Sequence, residues 1–162
     1  MKNTKKMVYM AVLLALSVVG ANIKIQGSIA LDALASFLGA LILGPIYGGI
    51  IGILGHFTSA SLSGFPLTLP LHILIGVEML VIVSIFGYVY GKGKKILAIV
   101  IAIVLNGPVA TYLAATVASL LGMSFSGTIM FNALVVLLTI AASVNVILAV
   151  IIYETMKKTK QI

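Results

Sequence analysis

Cysteine, tryptophan and arginine are all missing from this chain, and its 162 residues include only three acids. Without cysteine there is no disulfide framework, no thiol chemistry and no thiolate metal site. Without tryptophan, an aromatic platform for a ring-shaped ligand has to come from Phe57, Phe65, Tyr112 or Phe131. Charge is scarce throughout: charged residues make up 8% of the chain and hydrophobic ones 62%, with a mean hydropathy of +1.28. Such a composition excludes an ordinary soluble domain and leaves no length for a catalytic or nucleotide-binding one. No Walker-type phosphate loop is present, and the two histidines lack the H-E-x-x-H spacing of a zinc hydrolase, so no metal site is expected. Ser61 and Ser63 lack the strand-to-helix context of a nucleophile elbow. No enzyme is therefore expected.

Long apolar runs are what the chain does have. A helix needs roughly 20 apolar residues to cross a hydrocarbon core about 30 Å thick, so there is room for about six crossings. Stretches such as ILAIVIAIVL are apolar on every side and do not alternate as barrel strands would. The expected class is an all-α integral membrane protein in the lipid bilayer. The first run, Met7 to Gly20, follows lysines as a signal peptide would, but no A-x-A-like site follows it, so it reads as a retained span.

The stretch DALASFLGALILGPIYGGIIGILGHF, residues 32–57, decides the topology. One helix here gives five crossings, and a turn at LGPIYGG gives six. Lysines mark the cytoplasmic side of membrane proteins. They fall as Lys2, Lys5 and Lys6, then Lys24 alone, then Lys92, Lys94 and Lys95, then Lys157, Lys158 and Lys160. Only six crossings put nine of the ten on one side. Pro45 agrees, since it disfavours helix at Gly44 and suits the first position of the next helix. The expected spans are 7–23, 30–44, 46–58, 69–90, 96–120 and 127–153, a six-transmembrane-helix bundle with both termini cytoplasmic. The same distribution argues that the formal +7 charge is a topology signal rather than a nucleic-acid surface. ANIKIQGS, TSASLSGFPLT and GMSFSG then lie outside.

Gly44, Gly48 and Gly52 recur every fourth residue and predict close helix packing, or a ligand against bare backbone. Ionisable groups inside a membrane cost at least about 2.5–3.5 kcal/mol each, so the few present are informative. Glu154 sits among lysines at the inner end. Asp32, His56 and His72 all fall at the outer side, with Lys24 and Asn22 nearby. Each has a plainer reading: Asp32 as a first-turn acid at a helix N-terminus, the histidines as interfacial residues. Glu78 lies nearly two turns into the fourth span, available to a neighbouring helix or to a ligand. Asn106 and Asn145 read as helix-to-helix hydrogen bonders, with Asn106 before Gly107-Pro108 also marking a kink. Asn132, at the outer side of the last span, is a ligand candidate. Polar residues that cluster outside and thin out inward favour a capture site over a channel, and a scaffold would need no such cluster. A proton-coupled carrier would be expected to show several buried acids and two related halves.

The six-span plan, the small-residue pair in AVLLA, the hairpin GPIYGGIIGILGHF and the following SGFPLTLPLHILIGVEM together resemble the substrate-binding S component of an energy-coupling factor (ECF) vitamin transporter. The likeness in layout covers nearly the whole chain, as one S-component domain over 1–162, and is sharpest over 32–80. It implies a multi-pass plasma-membrane protein of a prokaryote that captures a vitamin or precursor at its outer face. It also implies a transmembrane coupling protein and two cytoplasmic ATPases as partners; ATP and Mg belong to those subunits, with no cofactor in this chain. Ala11 and Ala15 would face the coupling protein, and NIKIQGS would act as a lid. Asn22, Lys24, Asp32, His56, Phe57, His72, Glu78 and Asn132 would hold the cargo. GHFTSASLSGFPLTLPLH is most similar to members handling cobalamin or its lower-ligand precursor α-ribazole, with biotin, riboflavin or pantothenate as alternatives. The chain begins Met1-Lys2-Asn3, unlike the Met-His start of the nickel and cobalt branch.

Overall fold

The structure, a computed structural model, describes residues 3–22, 24–25 and 29–160; for residues 3, 24, 25, 29 and 30 it describes the backbone alone. Among the described residues there are six helical rods. These are α1 (Asn3–Asn22), α2 (Leu34–Leu43), α3 (Pro45–Leu62), α4 (Leu69–Gly91), a fifth rod, and α7 (Gly127–Lys158). The fifth rod, Lys95–Leu120, consists of α5 (Lys95–Val104), a π-helical turn (Leu105–Val109) and α6 (Ala110–Leu120). Between α1 and α2 runs a two-residue antiparallel ladder, β1 (Lys24–Ile25) on β2 (Ile29–Ala30), with Lys24 opposite Ala30. This ladder is the one departure from the expected all-α class among the described residues.

Residues 32–57 form two helices. The chain breaks at Gly44, whose φ of 108° is open to glycine and strained for other residues, and Pro45 is the first residue of α3. No neighbour crowds Gly44, so its backbone angle rather than space requires glycine there. At Gly48 the reverse holds. A Cβ there would collide with the backbone of Ala40, so α2 and α3 cross almost backbone to backbone. One residue on, Gly49 lies against the Leu80 carbonyl and Ser84 of α4. The glycine repeat thus packs α3 between its two neighbours.

Helix α2 starts at Leu34 rather than at 30, because the preceding residues are tied to the end of α1. Leu31 N–H donates to the Gly20 carbonyl at 3.1 Å, and the Ser17 hydroxyl donates to the Asp32 carbonyl at 2.8 Å. From Ala35 to Ala40 every residue of α2 is buried, so this short apolar helix is shielded by neighbours on all sides. Phe37 packs edge-on against Phe86 of α4, with centroids 5.2 Å apart and both rings fully buried. Helix α3 runs to Leu62, past the expected 58, and ends where Phe65 N–H turns back to the Ala60 carbonyl at 2.8 Å.

Four helices, Thr4–Asn22, Leu69–Gly91, Lys95–Leu120 and Gly127–Lys158, are long and apolar enough to cross a membrane. Their outward residues, among them Val8, Leu16, Ile96, Val100, Ile129, Val136 and Ile151, are exposed aliphatics, as a lipid-facing belt requires. The chain is a membrane protein. At one end of the bundle Lys6 lies over the Tyr47 ring, and Lys95 pairs with Glu154 at 2.7 Å. Lys92 and Lys94, between α4 and α5, belong to this end too. At the other end are His56, His72 and the β1–β2 ladder.

Candidate functional site

The α3–α4 hairpin brings two residues 16 apart in sequence face to face. His56 Nε2 lies 3.1 Å from His72 Nδ1, and the rings are tilted by 34° with centroids 5.2 Å apart. Leu67 N–H points at His72 Nε2 at 3.4 Å. That makes Nε2 an acceptor, so the network assigns the His72 proton to Nδ1, which donates to His56, and the His56 proton to its own Nδ1. Phe65 packs edge-on against His72, with ring centroids 5.6 Å apart.

Beneath the pair opens a cavity of about 320 Å³. Ser17 of α1 and the Asp32–Ala33 turn form one wall, Gly52 and His56 of α3 a second, and His72, Ile75, Glu78 and Met79 of α4 a third. Helix α7 presents a single face over four turns, Met130, Leu134, Leu138, Ala141 and Asn145, at helical spacing. The fifth rod contributes Asn106, Ala110, Thr111 and Ala114. The π turn sets their phase: one extra residue in a turn rotates everything after it by about 100°. Thr111 is held there by donating to the Gly107 carbonyl at 2.7 Å, while Gly107 itself lies against Thr139 of α7.

The polar inventory is uneven. Among the described residues the lining holds two acids and two imidazoles but no lysine. Asp32 Oδ1 accepts from the Ala33 N–H at 2.9 Å, a local role just before α2. Asn145 Nδ2 donates to the Ala141 carbonyl at 2.8 Å. Both carboxyl oxygens of Glu78 are buried with no hydrogen-bond partner among the described residues, and the residue as a whole is only 9% exposed. No group of three or more metal-ligating side chains occurs among the described residues.

Of the residues expected at the site, Asp32, His56, His72 and Glu78 line the cavity together. Asn22 does not; it is exposed at the end of α1, with Nδ2 on the Val18 carbonyl at 2.9 Å. Asn132 is exposed on α7 away from the lining, and Phe57 packs against Gly76 in the α3–α4 interface. The Lys24 side chain lies outside the described part of the molecule. None of Phe57, Phe65, Tyr112 and Phe131 lines the cavity, so the imidazoles supply its π faces. Ser17 and Thr111 join the wall without a sequence signal that marks them. Asn106 and Asn145, expected as helix-to-helix contacts, line it too. Ala11 and Ala15 are exposed on the outer face of α1, beside Val8, Val12, Leu16 and Val19, while Leu13 and Ser17 face inward.

No curated protein and no solved structure matches the chain. Residues 5–156 match the model of a family described as ECF transporter, substrate-specific component. Such components are the substrate-binding subunits of transporters and are not enzymes. A cavity within an apolar helical bundle fits that role, and a match over this much of the chain shows that the protein belongs to the ECF transporter substrate-specific component family.

Proposed function

We propose that this protein captures a vitamin precursor of the benzimidazole-nucleoside kind, with α-ribazole the best candidate, and delivers it through an ATP-driven coupling module. The cavity is the observation that carries the reading. Its volume of about 320 Å³ lies at the lower end of the 300–1,000 Å³ typical of small-molecule sites. That suits a two-ring heterocycle with a sugar. A complete corrinoid is several times larger. Aliphatic walls would take the ring faces, and His56, Asp32 and Glu78 would take the sugar and ring nitrogens.

The lysine distribution supports six crossings with both termini cytoplasmic, which turns the histidine end outward. Cargo then enters from outside beneath the β1–β2 ladder, with Lys24, Asn22 and Asn132 near the entrance. The exposed Ala11–Ala15 face of α1 offers a neighbouring helix a close approach and is the surface assigned to the transmembrane coupling protein. Two cytoplasmic ATPases supply the energy, with their own ATP and Mg.

The test is calorimetric titration of the protein in lipid nanodiscs with α-ribazole and, separately, with cobalamin. Saturable one-to-one binding of α-ribazole with no heat from cobalamin is the expected result. Binding of cobalamin, or of neither, would contradict it.

A further inference from the structure

A buried carboxyl group with no partner among the described residues points to the charge of the cargo. Glu78 stands in the wall of the cavity, with both carboxyl oxygens buried and no donor within reach among the described residues. On its other side is a crevice lined, apart from Glu78 itself, by aliphatic residues of α4 and the fifth rod, including Val81, Ile85, Leu105 and Val109. Among the described residues no donor side chain reaches it from there. On the cavity side, the polar groups that share the lining with it are the imidazoles, Asp32, Ser17, Thr111 and two asparagines, with no lysine among the described residues. An unpaired buried carboxylate is costly, and costlier still where the surroundings exclude water. A second acid on the same cavity adds to the negative field rather than offsetting it.

We propose that Glu78 is the anchor of the cargo, accepting from a pair of donors such as a vicinal diol or a protonated nitrogen with a neighbouring N–H. The site on this view selects neutral or cationic heterocycles and rejects carboxylates and phosphates. The inference rests on the reading of this cavity as the cargo site, and it deepens that reading by assigning the charge class. An anionic ligand would bring its charge towards two acids, with no lysine among the described lining residues to meet it, whereas a diol completes the hydrogen bonding that the described residues leave open.

The test compares wild type with Glu78→Gln and Glu78→Met in nanodiscs, using α-ribazole, its 5′-phosphate, riboflavin, thiamine, biotin and pantothenate as probes. Wild type should bind α-ribazole at least about 100-fold more tightly than the phosphate, and Glu78→Gln should weaken α-ribazole by about 10–100-fold, the span of one or two charge-assisted hydrogen bonds. Melting of the ligand-free proteins separates binding from folding: Glu78→Met should melt above wild type, since it removes an unsatisfied buried acid. Equal affinity in wild type and Glu78→Gln, equal affinity for nucleoside and phosphate, or a Glu78→Met protein that melts below wild type would overturn the anchor. If α-ribazole does not bind while riboflavin or thiamine does, with the same Glu78 dependence, the nucleoside reading falls and the anchor stands. If biotin or pantothenate is the probe that binds, the anchor falls while capture stands. If none of the six binds, both fall together.

Discussion

The two ends of the bundle each hold a glutamate on a long helix, and the two are treated in opposite ways. At the lysine end, Glu154 of α7 accepts from the Tyr90 hydroxyl at 2.5 Å and from the Lys95 ammonium at 2.7 Å, so one carboxylate ties α4, α5 and α7 together. It is partly exposed, and water meets what the protein does not. Towards the histidine end, Glu78 of α4 is buried with no partner at all among the described residues. A folded chain completes the hydrogen bonds of acids that serve its architecture. An acid left open inside an apolar bundle, on the wall of a cavity, is one whose partner arrives from elsewhere.

The outer face of α1 stands apart from both ends. Ala15→Trp places a large ring on the exposed small-residue face, so reconstituted uptake should be abolished while ligand affinity stays at the wild-type value. Normal uptake by that variant would remove the docking role of this face. Next in size, His72→Ala removes the donor to His56 and the acceptor for Leu67 N–H, and should weaken α-ribazole by about 10-fold or more with the helical content unchanged by circular dichroism. Unchanged affinity would break the link between the imidazole pair and the cavity. The smallest effect belongs to the lysine end. Glu154→Gln should leave binding unaltered and shift the melting midpoint little, because its ion pair is solvent-exposed. A loss of binding there would mean that the two ends are coupled and the contrast between them false.

Much of this was legible in the residues themselves. Gly44-Pro45 announced the break in 32–57, because each disfavours a continuing helix for its own reason. The lysine clusters sorted the loops into two ends, and the hairpin then put His56 and His72 on the same one. Their direct contact needed the actual register of α3 on α4. Glu78 stood out as an acid inside a span, yet whether a neighbouring helix would satisfy it depended on side chains from other elements. The far wall was the least legible part. Thr111 faces the cavity after the rotation set by the π turn at 105–109, Asn106 lies within that turn and Asn145 on α7, and apolar periodicity is silent about phase in helices that are apolar all round. Asn22 and Asn132 were placed by depth alone, and depth does not fix the face of a helix on which a residue lies.

The most direct test of the capture reading is native mass spectrometry of the protein purified from a cell that supplies its cargo, followed by denaturing release of whatever travels with it. One stoichiometric small molecule, a neutral or cationic heterocycle such as a benzimidazole nucleoside, should be retained by wild type and lost from Glu78→Gln. A released carboxylate or phosphate, or a protein that stays empty after incubation with the full set of vitamins, would contradict it.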